Sequence, residues 1–306
     1  MSDFIIEIEG MTKYFGVKPA LDHLTLGIPK GSVYGLLGRN GSGKTTAIKL
    51  ILGFLNPTVG TAKVFGCPSN QLTPLARLRI GYTSEGHHLD RELPIRALEK
   101  FQREFFAETW DSVFFNEMME YFELPKKKKI KTLSNGQRAQ VSLALTLAYN
   151  PELLIMDDPT LGLDTAIRRQ FLNSIIHLIK KKERTILFSS HILSDVERIA
   201  DRVAVLDKGV LRADCTLEEF RKGIQKYLFE FQGDIPSIET LEGLVCHRQD
   251  GSVLEATFAK TSQLDIGRWA EQNKAKFRQV PMGIEDQFIE FTEPKRTRKI
   301  FSWEAK

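Results

Sequence analysis

Cysteine is scarce. Cys67, Cys215 and Cys246 are odd in number and far apart, with neither a disulfide framework nor metal-ligand spacing among them. Reduced thiols in a cytosolic compartment are the expectation. Long hydrophobic runs are also missing: the densest, residues 141–149, falls well short of the ~18 residues a membrane-crossing helix needs. The start, MSDFIIEIEG, carries acids where a secretory leader carries bases. An excess of one charge is lacking too, since 43 Lys and Arg against 39 Asp and Glu leave a net +4. The first 225 residues hold 31 bases and 26 acids, and the remainder 12 and 13. Neither part is a basic domain, so nucleic acid is not an expected partner. No repeat and no low-complexity tract appears.

What is present is a globular composition, 42% apolar and 27% charged, in 306 residues. That length is roughly two domains at ~150 residues each. Residues 4–8, 32–37, 153–156, 185–189 and 202–206 read as strands, and residues 45–55, 136–149 and 166–180 as helices. Such alternation predicts an α/β fold with a mostly parallel sheet and helices on both faces. Residues 92–125 lack strand signals and carry aromatics at helical spacing, which predicts a helical insert with its aromatics in the core. After residue 224 the pattern changes to strands at 226–232 and 252–259 and helices at 264–273 and 284–291, a small α+β appendage. The expected domains are therefore 1–224, with the insert at about 86–135, and 225–306.

The sharpest motif is Gly38-Arg39-Asn40-Gly41-Ser42-Gly43-Lys44-Thr45, which fits G-x-x-x-x-G-K-[ST] between a strand and a helix. Its glycines let successive backbone N–H groups turn inward around phosphate oxygens at a helix N-terminus. Lys44 would reach the β- and γ-phosphates, and the Thr45 hydroxyl would ligate Mg²⁺. Leu153-Leu-Ile-Met156-Asp157 supplies the second metal partner, a strand-end carboxylate.

A P-loop and a strand-end aspartate are shared by many NTPases. The sequence Leu133-Ser134-Asn135-Gly136-Gln137, twenty residues before Asp157, is more selective. Asp157-Asp158-Pro159-Thr160, Gly162-Leu163-Asp164 and Ser190-His191 follow in order. With these, the chain resembles the ATP-binding subunit of an ABC transporter over roughly residues 4–220. The resemblance implies a P-loop NTPase (ABC ATPase) domain that binds ATP and Mg²⁺. Two such subunits, identical or not, would close head to tail around the nucleotides. Residues Gly38 to Thr45 and Thr46 of one subunit would then face Ser134, Gly136 and Gln137 of the other. By the same resemblance Asp158 is the general base, His191 senses the γ-phosphate, Asp164 couples the two sites, and Glu85 reaches the metal or its water. Phe15 would stack on adenine; Tyr14 as the stacker, or Phe15 as core, are the alternatives. Taken alone, Ser134 reads equally well as a helix cap.

Three positions depart from the family pattern: Asp158 stands for glutamate, Glu85 for the commoner glutamine, and Asn135 for glycine. The shorter Asp158 predicts slow hydrolysis and a long-lived ATP-bound dimer, unless the backbone compensates. Length and arrangement, including Gly283-Ile-Glu-Asp-Gln-Phe288 near the end, resemble the ABC-2-type exporter subunits. The resemblance then implies a separate membrane permease, docked between the insert and the Glu85 loop. The subunit would lie peripherally on the cytoplasmic face, with the appendage supporting the dimer or tuning partner contact. A soluble ABC ATPase usually has two cassettes or a long coiled coil, and this chain has one P-loop. A low-turnover nucleotide switch is the other alternative. The basic run Lys126–Lys131 and the tail Lys295–Trp303 are solvated charge or contacts to anionic lipid.

Overall fold

The computed structural model describes residues 3–181, 184–238, 241–259 and 263–292, and the chain divides into two compact units after Asp214. In the first unit β1 (Phe4–Phe15) and β2 (Lys18–Pro29) precede β3 (Val33–Gly38) and α1 (Lys44–Ile51). Next come β4 (Val59–Val64), β5 (Cys67–Pro68), α2 (Pro74–Leu78) and β6 (Ile80–Thr83). Three helices follow, α3 (Ile95–Phe105), α4 (Ser112–Tyr121) and α5 (Asn135–Ala148). The chain then alternates β7 (Leu153–Met156), α6 (Thr165–Lys181), β8 (Thr185–Ser190), α7 (Leu193–Ile199), β9 (Arg202–Asp207) and β10 (Val210–Thr216).

Strands β9, β3, β8, β7 and β6 pair in that order, all parallel, with β10 beside β9. Every residue of β3, β7 and β8 is buried, as parallel strands covered on both faces require. Because β3, β6, β7 and β8 run the same way, the loops beginning at Arg39, Ser84, Asp157 and His191 leave one edge of the sheet side by side. Carboxyl ends of parallel strands are where such sheets bind ligands.

A second sheet was not expected. Strands β2, β1, β4 and β5 form an antiparallel sheet, so the unit is not built on one mostly parallel sheet. The reason lies at His23, in left-handed backbone at φ 50°. It shifts the buried positions of β2 from Leu21 to Leu24, Leu26 and Ile28, and the step of three breaks the period-2 signal of a strand. Helix α1 ends at Ile51, earlier than the expected Leu55.

The insert holds the α-helices α3 and α4 and a short 3-10 turn at Ile130–Thr132. Phe115, Met118, Met119 and Phe122 pack with Val141, Ala144 and Leu145 of α5. The expectation of core aromatics fails for Phe101 and Phe105, which stay 63% and 62% exposed on α3. In the basic run, Lys126 Nζ lies 2.9 Å from Glu99 and Lys131 Nζ 2.8 Å from Glu92. Both ends of the run are thus tied into the insert by ion pairs, which favours a structural reading over a free cationic patch.

The second unit contains α8 (Leu217–Lys222), β11 (Ile224–Glu230), β12 (Leu244–Asp250), β13 (Val253–Ala259), α9 (Gln263–Gln272), β14 (Lys276–Val280) and α10 (Ile284–Thr292). Its antiparallel sheet has the order β12-β13-β11-β14. Tyr227, Phe229, Leu254, Phe258 and Ile266 centre the core. The division lies ten residues before the expected boundary at 224, because α8 belongs here: Gln287 of α10 donates to the Arg221 carbonyl at 3.0 Å. The basic tail Lys295–Trp303 lies outside the described residues. Among the described residues no helix is long and apolar enough to cross a membrane.

Candidate functional site

The loop after β3 turns through Gly43 at φ 109°, where an added Cβ would sit 2.6 Å from the Ala20 carbonyl oxygen. Only glycine meets both demands. Lys44 then opens α1, and its Nζ folds back to donate to the Gly38 carbonyl at 2.8 Å. Burial lowers the Lys44 pKa from its ordinary value, while the charges of Asp158, Asp157 and Glu85 oppose that shift. One buried cation therefore faces three carboxylates from two neighbouring loops.

Thr45 Oγ1 donates to Asp157 Oδ1 at 3.1 Å. The Ser189 hydroxyl donates to the same oxygen at 2.7 Å and accepts the Asp158 N–H at 2.9 Å. Asp158 sits in left-handed backbone at φ 45°, which costs a non-glycine residue about 1–3 kcal/mol and persists only where surroundings fix it. Its carboxylate oxygens lie 2.9 and 3.1 Å from His191 Nδ1. A cleft of about 390 Å³ opens here, lined by residues 40–46 with Ala20, Glu85 and Asp158. The Ser42 hydroxyl is buried without a hydrogen-bond partner, a group that an anion's oxygen in the loop would satisfy.

The structure thus gathers Asn40, Gly41, Ser42, Gly43, Lys44, Thr45, Thr46, Glu85 and Asp158 around one cleft. Gly38 and Arg39 approach it through carbonyls that accept from Lys44, Asp157 through Thr45, and His191 through Asp158. It does not bring Ser134, Gly136, Gln137 or Asp164 into the lining. Ser134 and Gln137 instead form a reciprocal capping box at the start of α5. Gly136 allows α6 to approach closely, since a Cβ there would meet Ile167 at 2.4 Å. Asp164 caps the first turn of α6 through the N–H groups of Ala166 and Ile167. Phe15 and Tyr14 are 54% and 42% exposed, so neither is core, and Lys13 Nζ lies 5.5 Å from the Phe15 ring centroid.

The ABC transporter family model matches residues 21–161. The Nod factor export ATP-binding protein I of Rhizobium meliloti (strain 1021) is 33% identical over 298 residues, 94% of this chain and 88% of its own. The chain belongs to the ABC transporter ATP-binding subunits. The bacitracin transport ATP-binding protein BcrA of Bacillus licheniformis is 34% identical over 230 residues, 74% of each chain. A solved ATP-binding subunit of an ABC transporter superposes with a TM-score of 0.63 at 25% identity, covering 71% of this chain and 92% of that one. A dimeric post-hydrolysis cassette bound to ADP and Pi shares the fold, with a TM-score of 0.61 at 23% identity over 69% of this chain and 98% of that one. This ABC ATPase subunit therefore binds and hydrolyses ATP.

Sequence reading missed three supports of the ABC site: Ser189, His87 and the pair Thr160–Asp195. Ser189 is the penultimate residue of β8, just before the Ser190-His191 motif, a position that was legible. The other two depend on partners far away in sequence. Thr160 Oγ1 donates to Asp195 Oδ2 of α7 at 2.6 Å, and Arg168 lies 3.7 Å from Asp195 Oδ1. Burial raises the Asp195 pKa above the ordinary 3.8, with Thr160 and Arg168 pulling it back down. A carboxyl whose folded pKa is raised contributes stability at low pH that is lost as pH climbs through the folded value. Unfolding measured by denaturant across pH should therefore show Asp195→Asn gaining on the parent as pH rises above about 3.8. A constant difference between the two would contradict this account of Asp195.

Proposed function

We propose that this ABC ATPase drives a separate membrane permease, in the direction of export, by closing head to tail on a second ATP-binding subunit around MgATP. The observation that carries the reading is the cleft itself, where Lys44, Thr45 and Asp158 converge at the carboxyl edge of the parallel sheet. Residues 40–46 would cradle the phosphates through backbone N–H groups, and Lys44 would neutralise the β- and γ-phosphate charge. Thr45 and Asp157, with oxygens 3.1 Å apart, are a donor set that fits Mg²⁺. That ion takes one or two protein ligands and completes its octahedron with phosphates and water. Among the described residues no group of three His, Cys, Asp or Glu forms a metal cage of its own, which suits the same ion, and Glu85 adds a carboxylate at the cleft's rim. When bound, the ion supplies charge neutralisation at the β- and γ-oxygens.

Asp158 would take the proton of the attacking water, its carboxylate oriented by His191 Nδ1. General-base help is worth about 10²–10⁴-fold, and a misplacement near 1 Å costs on the order of 100-fold. Aspartate is one methylene shorter than the family's glutamate, so hydrolysis is slow and the ATP-bound pair long-lived. The second anion site would come from Ser134 and Gly136 of the other subunit, because the chain's own α5 start lies outside the cleft lining. Ser134 and Asp164 are both exposed, which suits residues that meet a partner. Asp164 would couple the paired sites, and Phe15 would stack on adenine from its exposed position.

The permease contact would use the insert beside the Glu85 loop. Phe101 and Phe105, four apart on α3 and exposed, give the insert an apolar ridge. The relatives in Nod factor export and bacitracin transport support the transport reading, with a location peripheral to the membrane on its cytoplasmic side.

Sedimentation of Asp158→Asn should give dimers with ATP and monomers without it, and Lys44→Ala combined with it should stay monomeric. Monomers throughout would overturn the head-to-tail reading. Asp158→Glu should raise steady-state phosphate release by on the order of tenfold, given the sensitivity of catalysis to such displacements. No gain would mean that the backbone at residue 158 already compensates. Replacing Phe101 and Phe105 together by glutamate should abolish co-purification with a multi-helix membrane protein while leaving phosphate release within about twofold, as surface changes away from the cleft do. Retained co-purification would remove this ridge from the interface.

A further inference from the structure

Three side chains fix the short turn that carries Asp158, and each comes from a different element. Ser189 of β8 accepts the Asp158 N–H at 2.9 Å. Asp195 of α7 accepts from the Thr160 hydroxyl at 2.6 Å. His87 lies 2.9 Å, through Nε2, from the Pro159 carbonyl oxygen. Ser189 and Asp195 belong to regular elements packed into the sheet. His87 is different, because it follows Glu85 in the loop after β6.

That loop is itself a folded turn. The His87 N–H bonds back to the Ser84 carbonyl at 3.2 Å, and Gly86 and His87 are both left-handed, at φ 78° and 48°. The backbone throws Glu85 outward to the cleft and the His87 ring inward, where it is only 5% exposed. The ring lies 6.4 Å from that of Phe171 on α6, so it has a packed wall and a fixed direction. A carbonyl can only accept, so Nε2 carries the hydrogen in this bond. Nδ1 is buried without a hydrogen-bond partner. The imidazole is therefore held at one end only, by the carbonyl of Pro159, the residue after Asp158.

We infer that His87 is a positioning residue for hydrolysis: its bond to Pro159 ties the Asp158 turn to the Glu85 loop, so the general base is aimed only while that loop is seated. The physical basis is the left-handed backbone of Asp158, which neighbouring contacts must hold because the residue does not prefer it. Release of the Pro159 carbonyl lets φ at residue 158 relax and swings the carboxylate away from His191 and the cleft. ATP binding is spared, since the phosphate cradle of residues 40–46 makes no use of His87. This inference rests on Asp158 being the general base.

The test uses the full chain and separates kcat from the KM for ATP in His87→Leu, His87→Gln, His87→Asn and Asp158→Asn. Leucine keeps apolar bulk and removes the donor. Glutamine places an amide donor near the position of Nε2, whereas asparagine places one near Nδ1. His87→Leu should lower kcat by on the order of tenfold or more, with the KM for ATP within about twofold and an unchanged thermal midpoint in His87→Gln. His87→Gln should recover kcat to within about threefold of the parent, on the same scale of sensitivity to geometry. His87→Asn should not recover it.

Parent-level kcat in His87→Leu overturns the inference. So does equal kcat in the glutamine and asparagine variants, the comparison that decides if His87→Leu fails to fold. Loss of kcat in Asp158→Asn beside normal kcat in His87→Leu sinks the His87 assignment alone. Parent-level kcat in Asp158→Asn removes the general-base reading itself, and the aiming role with it.

Discussion

The parallel pairing of β6, β7, β8 and β3 is the constraint on which the rest of this ABC ATPase depends. Parallel neighbours end together, so Glu85, the Asp157–Asp158 pair, His191 and the P-loop leave the sheet at one edge although more than a hundred residues separate the first from the last. A register slip at any rung would move a strand's buried face to the wrong side. It would also carry one of the site's polar groups out of reach of the others. The full burial of β3, β7 and β8 makes such a slip expensive, and in that way core packing guards the chemistry.

Charge balance at that edge explains several otherwise separate features. Lys44 is buried beneath its own loop and bonded to a carbonyl, while Asp157 is sealed in at 1% exposure between two hydroxyls. A lone buried carboxylate is costly unless hydrogen-bonded, and Thr45 and Ser189 meet that need without adding charge. Asp158 takes the imidazole of His191 as its partner. The site therefore holds more negative than positive side chains, and a triphosphate would add to the imbalance. Oriented amides at the start of α1 and a divalent cation are the two remaining sources of positive potential, which is why both belong to the proposed chemistry.

How much of this was legible follows from the distance between partners in sequence. Gly38 to Thr45 would act through consecutive backbone groups, so the proposed chemistry is written contiguously and reads off the chain. Asp157, Asp158 and His191 are single residues, but they lie just past the runs Leu153–Met156 and Thr185–Ser190, which identify themselves as strands. His87 gives no such signal: its partner Pro159 lies 72 residues on, and nothing local marks a histidine as buried. Thr160 and Asp195, 35 apart, are equally silent. Strand β2 escaped for a different reason, since His23 shifts the phase of its buried residues. The exposed Phe101 and Phe105 misled in the opposite sense. Their helical spacing matches that of core residues, and only the position of α5 determines which face of α3 is covered.

The capping box at Ser134 and the proposed anion site at the same helix start are compatible rather than competing. A helix leaves its first N–H groups without intrahelical partners. Here the Ser134 hydroxyl takes the N–H of Gln137, and Gln137 returns the bond to the N–H of Ser134. The box thereby fixes the direction of the helix start while the amides of Asn135 and Gly136 stand at the positions a phosphate would approach. Gly136 also lets α6 pack close, and Asp164 caps that same helix. The two elements that would face a partner subunit are thus braced against each other within one chain. A surface assembled in this way is rigid before the partner arrives, so closing the pair would cost little ordering and most of the γ-phosphate's binding energy would remain to hold the two subunits together.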